Sequence, residues 1–316
     1  MLTLGLDTSN YATSLAVFDT DAGEVVCDCK RFLPVRQGQL GLRQSDALFH
    51  HTAALPDLFR ELGSKADLTK IGAVGVSTRP RPVEGSYMPC FLAGVSAATA
   101  FAAARGLPLI STTHQQGHLA AALFAADARL LEQETLVFHV SGGTTDLLLY
   151  QGMAHITPLG TSSDLYAGQA VDRLGVRLGY AFPAGVYVSG QAALCHEPVK
   201  PRATVRGMDC SLSGLENQCI KLLEQGKDAP YVCKYCLLCV AETLLRMARA
   251  ALEQHPGLPV VFAGGVMSSE AVRGYVTTRL PGARFVPGKF ASDNAIGVSI
   301  LAAREAVQWT SSASGT

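Results

Sequence analysis

Charge is what this chain has least of. Asp, Glu, Lys and Arg make up 16% of its 316 residues, and the 26 basic side chains cancel the 26 acidic ones. The usual charged share is about a quarter. A chain so balanced carries no basic field to draw nucleic acid across its whole surface, so an RNA ligand would need a local patch or a partner subunit. Long apolar runs are missing as well, and nothing reaches the length of a membrane-spanning helix. Residues 1–8 alternate apolar and small side chains and lack the basic start of a secretory signal. The nine cysteines follow no framework spacing, which excludes a disulfide scaffold and reads as reduced thiols in a cytoplasmic protein. What is there is a chain 48% hydrophobic, long enough for one large or two medium domains with a cleft between lobes.

Apolar residues follow strand-like runs over 2–7, 13–18, 24–29, 71–77, 107–111, 136–140, 147–150 and 260–263. Helical spacing covers 43–62, 91–104, 114–125, 163–178, 229–254, 268–280 and a last segment to 306. This alternation predicts an α/β fold. Pro56 is expected to kink or interrupt the helix at 43–62, on which His50 and His51 ride as structural side chains. Cys233, Cys236 and Cys239 recur every three residues, a spacing that invites an iron–sulfur reading. They drift across a face shared with Leu237, Val240 and Leu244, so core packing is the better account. The tail over 307–316 is expected to be disordered.

Four short stretches carry chemistry. Ser141-Gly142-Gly143-Thr144 turns a hairpin between two apolar runs, and its glycines allow backbone N–H groups to gather around a phosphate. An ordinary tight turn is the competing reading. Asp7, Thr8 and Ser9 close the first strand, a place from which short polar groups reach a cleft. His114 and His118 stand four apart on one helix face and can share a metal ion; Gln115 stands where a zinc peptidase helix carries its glutamate base. Finally, Ala263-Gly264-Gly265 joins a strand to a helix start, a second point where backbone can approach a ligand. Asp293, ahead of the last helix, is either a cap or an oxygen ligand.

Taken in order, Gly5-Leu6-Asp7-Thr8-Ser9, His114-Gln115-Gln116-Gly117-His118, Val140-Ser141-Gly142-Gly143, Asp164 with Gly168 and Asp172, Leu212-Ser213-Gly214-Leu215, Ala263-Gly264-Gly265-Val266 and Ser292-Asp293-Asn294 form a specific set. The set resembles the tRNA threonylcarbamoyladenosine transferase family. The resemblance spans nearly the whole chain and implies the two-lobed, actin-like ATPase-type fold built from ribonuclease-H-like repeats. The expected lobes are residues 1–112, with a helix over 292–306 at the lobe junction, and residues 113–291. It further implies one divalent metal ion, iron or zinc, on His114, His118 and Asp293. The substrate would be threonylcarbamoyl-adenylate, or another adenine nucleotide, with tRNA as acceptor. Asp7, Ser9, His139, Val140, Ser141, Gly142, Gly143, Thr144, Asp172, Gly185, Gly264, Gly265 and Ser269 are the substrate-binding positions on that mapping. A smaller actin-like partner subunit, a cytoplasmic setting and no membrane complete the expectation.

Departures from the family pattern are equally specific. Tyr11 and Ala12 stand in place of an acidic pair, Thr144 in place of a His, Glu216 of a Lys, Gln169 of a Glu and Ser269 of an Asn. Arg79-Pro80-Arg81-Pro82 replaces a Gly-Pro-Gly loop. The chain thus resembles a divergent paralogue, with a non-catalytic adenylate-binding scaffold as the alternative to an acyltransferase. A metallopeptidase has only a former label of the family behind it.

Overall fold

A computed structural model of the chain describes residues 1–9, 12–34, 42–291 and 295–313. Three antiparallel strands begin it: β1 (Leu2–Ser9), β2 (Ala12–Asp19) and β3 (Glu24–Phe32). Helix α1 (Gln44–Lys65) then crosses to β4 (Ile71–Ser77), and α2 (Phe91–Arg105) crosses to β5 (Leu109–Thr112). Such helical crossovers are what parallel pairing requires, and β4 lies parallel to β1 on one side and β5 on the other. The sheet order is β3-β2-β1-β4-β5. Helix α3 (His114–Ala126) follows.

The same plan recurs. β6 (Thr135–Val140), β7 (Thr145–Tyr150) and β8 (Ile156–Thr161) form a second antiparallel meander. After it come α4 (Ala167–Arg177), α5 (Gly185–Ala193), the short pair β9 (Thr204–Arg206) and β10 (Asp209–Ser211), α6 (Ser213–Glu224) and α7 (Ala229–Gln254). β11 (Val260–Ala263), α8 (Glu270–Arg279), β12 (Arg284–Phe285), α9 (Gly288–Ala291) and α10 (Ala295–Ala313) complete the chain. The second sheet runs β12-β11-β6-β7-β8, with β11 parallel to both β6 and β12. Each sheet is therefore a three-strand meander extended by two parallel strands, one design used twice.

Two compact units result, residues 1–124 with 293–316, and residues 125–292. These units divide at 124/125, where the expected lobes divide at 112/113, and α3 is tied to the first sheet at both ends. His114 meets Asp7 of β1 near its start, and Phe124 meets Phe18 of β2 edge-on at 5.4 Å near its end. Helix α10 packs on the first sheet too, accepting the Thr3 hydroxyl at Ser299 O, 2.9 Å. It runs to Ala313, past the end expected at 306.

The first core gathers Leu4, Leu6, Leu15, Val17, Leu58, Leu62, Val74 and Val76, each Leu or Val worth about 1.5–3 kcal/mol on full burial. That burial carries α1 through Pro56 without a break, although proline removes one helical donor. The second core holds Leu136, Phe138, Leu147, Leu174, Leu244 and Phe262, with Cys233, Cys236 and Cys239 among them. Burial pushes the Cys233 thiol up to about 12, as befits a packed apolar side chain.

Candidate active site

Helix α3 starts on a capping box. The Thr113 N–H donates to the Gln116 side chain at 2.9 Å and the Gln116 N–H to the Thr113 hydroxyl at 3.3 Å, two first-turn donors met reciprocally. Thr113-x-x-Gln116 is a signal the chain displays openly. The next donors are met by the Arg-Pro-Arg-Pro loop, with His114 N–H to Arg79 O and Gln115 N–H to Pro80 O, both 3.0 Å. The first turn of the histidine helix is therefore clamped through main chain to the loop that follows β4.

On that helix the His114 and His118 rings lie 4.6 Å apart, centroid to centroid. Behind them, His114 Nδ1 is 3.0 Å from Asp7 Oδ2, with Asp7 fully buried and the His114 side chain 27% exposed. The other Asp7 oxygen accepts the Ser9 N–H at 2.9 Å. Burial alone would raise the Asp7 carboxyl, but its interaction with His114 and the hydrogen bonds it accepts, that of the Ser9 N–H among them, outweigh it and the net direction is downward. Ser9 is itself buried. Among the described residues no group of three His, Cys, Asp or Glu side chains is arranged to hold a metal ion. Asp293, the third ligand expected, lies outside the described residues. Two imidazoles on one helix face, one with its second nitrogen turned to a buried carboxylate, are a donor pair that fits a divalent ion.

In the second unit the β6–β7 hairpin turns through Ser141–Thr144. Ser141 N–H donates to Thr144 O at 2.9 Å, Gly143 N–H to the Ser141 hydroxyl at 3.2 Å, and the Ser141 and Thr144 hydroxyls pair at 2.9 Å. Thr144 Oγ1 stands 3.4 Å from His139 Nδ1. Gly142 and Gly143 are exposed, and nothing occupies the space a side chain would take at either. Helix α4 begins hard against this turn: Gly168 N–H donates to Ser141 O at 3.1 Å and Ala167 N–H to the Thr145 hydroxyl at 2.8 Å.

The helix expected over 163–178 starts later, at Ala167, because Asp164 is used elsewhere. It accepts from the N–H groups of Leu165, Leu212 and Ser213 and from the hydroxyls of Ser211 and Ser213. Burial opposes ionisation there, yet those hydrogen bonds hold the carboxyl far below its usual range. Asp164 is thus the clasp that joins the α4 approach to the β10–α6 turn. Asp172 does a similar job further on, accepting the Ala184 N–H at 2.8 Å just before Gly185 opens α5. Its pKa is raised, by burial first, with the Ala184 and Gly185 N–H groups opposing.

After β11 the chain turns at Gly264, at φ +105°, and a Cβ there would stand 2.1 Å from the buried Val140 carbonyl oxygen. This glycine serves the close approach of β11 to β6. Gly265 faces open space, and Ser269, just ahead of α8, is buried with its hydroxyl unpartnered among the described residues. An orphan hydroxyl of this kind is a place where a ligand would supply the missing bond.

The sequence profile of the tRNA N6-adenosine threonylcarbamoyltransferase family (TsaD) matches residues 36–299. The chain belongs to this family. A relative of that name from Streptococcus suis is 29% identical, aligned over 96% of this chain and 92% of its own length. Another of the same name, from Streptococcus thermophilus, is 30% identical over 81% of this chain and 77% of its own. The family is one of transferase enzymes. Solved structures agree on the fold. The activator of 2-hydroxyisocaproyl-CoA dehydratase from Clostridium difficile, with bound ADPNP, superposes at TM-score 0.58 and 13% identity, covering 99% of this chain and 98% of that one. T. kodakarensis HypF gives 0.59 at 12% identity, covering 98% of this chain and 48% of the other. The fold is the actin-like ATPase and sugar-kinase fold expected from the ordered motifs. No described helix is long and apolar enough to cross a membrane.

Proposed function

We propose that this chain is a threonylcarbamoyl transferase acting on a tRNA adenosine, with threonylcarbamoyl-adenylate as donor. The observation that carries the reading is the retained histidine pair, held on a capped helix and backed by the buried Asp7. The acceptor amine bonds to the carbamoyl carbon, the bond from that carbon to the phosphate oxygen breaks, AMP leaves, and the amine loses a proton. A divalent ion on His114, His118 and Asp293 would supply Lewis-acid stabilisation when bound. The Gly143 N–H, now on the Ser141 hydroxyl, and the Ser141 and Thr144 hydroxyls would bind the phosphate. Asp172 would fix the turn at Gly185 beside the nucleoside, and the Ser269 hydroxyl would take a hydrogen bond from it. A smaller actin-like partner subunit and a cytoplasmic setting belong to the same reading.

Tyr11 and Ala12, in place of the acidic pair, favour a second reading, an adenylate-binding scaffold for a competent transferase. Loss of one positioned acid or base typically costs about 10²–10⁴ in rate. Mass analysis of nucleosides from tRNA incubated with protein and donor separates the two. Transfer should be weak with the unmodified chain and rise with Tyr11→Asp plus Ala12→Glu. Vigorous transfer by the unmodified chain alone would refute a role for the lost pair. No transfer by either form, with a partner subunit present, would favour the scaffold.

A further inference from the structure

Asp7, expected among the substrate-binding positions, has both carboxylate oxygens engaged within the fold. It is fully buried at the end of β1, one oxygen accepts the Ser9 N–H, and the other meets His114 Nδ1 at 3.0 Å. We infer that Asp7 is a positioning residue: its carboxylate holds the His114 ring through Nδ1, so that Nε2 is the atom offered to a divalent cation. This rests on the metal reading proposed above.

Three features favour the assignment. First, a histidine that ligates a metal through one nitrogen ordinarily donates the N–H of the other to an acceptor, and a carboxylate is one that metal-site histidines commonly use. Second, the Asp7 backbone is pinned. It continues β1, the strand between β2 and β4, and pairs with Ser14 of β2, and the next residue, Thr8, donates its hydroxyl to Cys90 O and accepts the Gly94 N–H. A carboxylate so fixed sets ring orientation with little freedom. Third, exposure is divided as the role demands: the carboxylate is inside, while His114 is partly open and its ring lies beside that of His118 on the next turn. The rival arrangement has the ion between Asp7 and Nδ1, which would put it in the buried strand layer, away from any incoming ligand.

The test uses Zn2+ alone, competed against a chromophoric chelator, with folding followed by circular dichroism. Asp7→Asn, close to isosteric, should bind Zn2+ about 10- to 100-fold more weakly than the parent, while His114→Ala should lose the ion. Equal affinity in Asp7→Asn and the parent, with the ion still lost in His114→Ala, would overturn the positioning role and leave the metal reading standing. Unchanged binding in His114→Ala would overturn both. Nitrogen-15 NMR of the unmodified Zn2+-loaded protein needs no variant to fold. His114 should keep a slowly exchanging proton on Nδ1 and coordinate through Nε2. Coordination through Nδ1 would make Asp7 a direct neighbour of the ion and sink the inference.

Discussion

His51 is a histidine that the fold keeps neutral. It is fully buried on α1, Nδ1 meets the Thr13 hydroxyl at 2.8 Å, and Nε2 has no hydrogen-bond partner among the described residues. Burial, above all, pushes its pKa down to about 4, against about 6.5 for a free imidazole. Between those values the unfolded chain takes up a proton that the folded chain refuses, so stability falls as pH drops through that window. The full effect is roughly 3 kcal/mol at most. Urea unfolding at neutral pH and near pH ~4.5 should show the parent losing more stability than His51→Gln. An equal loss in both would place the dependence on other groups. The protonation state of His51 is thus a property of its burial, whereas its place on the apolar side of α1 follows from helical spacing.

At the level of elements, the β6–β7 hairpin and the β11 turn use glycine for opposite reasons. Around Gly143 the space is open, and its backbone is not in the left-handed region. Gly143→Val should therefore leave the melting temperature nearly unchanged, within about 0.5 kcal/mol of stability, while calorimetry shows adenylate binding lost. Gly264 combines positive φ with a backbone oxygen where a Cβ would go. Gly264→Ala should cost on the order of 3 kcal/mol or more and lower the melting temperature whether or not nucleotide is present. If both variants melt like the parent, the close packing of β11 on β6 is wrong. If Gly143→Val binds as the parent does, the hairpin is only a turn. The position of α4 is coupled to this hairpin: a Cβ at Gly168 would stand 2.6 Å from the Gly142 nitrogen and the Ser141 carbonyl. The α4 start and the turn therefore move as one piece.

For the whole molecule, the balance of charge sets how RNA is met. With 26 basic and 26 acidic side chains, few counterions would be released on contact with a phosphate backbone, and that release supplies most non-specific affinity. The chain alone should bind tRNA no more tightly than about 10⁻⁶ M at physiological salt, with a shallow salt dependence. A basic partner subunit should steepen the salt dependence and raise affinity together. Tight, strongly salt-dependent binding by the isolated chain, measured by filter retention across a salt series, would point instead to a local basic patch such as the loop bearing Arg79 and Arg81. Both are exposed, and the loop's carbonyls already clamp α3.

Much of this was legible in the residues alone. Strand and helix periods, the His114–His118 spacing, the Ser141–Thr144 turn and the glycines after β11 are local features, set by side-chain period and by what a tight turn tolerates. Their order along the chain was enough to indicate the family and its fold. Local pattern could not supply the partners. Asp7 and His114 are 107 positions apart and meet only because β1 and α3 are brought together by the strand order. Helical spacing places Asp164 in a helix, since nothing nearby in sequence reveals that residues 211–213 return to claim it. The assignment of α3 to the first unit has the same origin, because helix–sheet packing joins residues that sequence distance keeps apart. Hydrogen-bond partners and ring orientation depend on that packing, so they were decided by the tertiary structure.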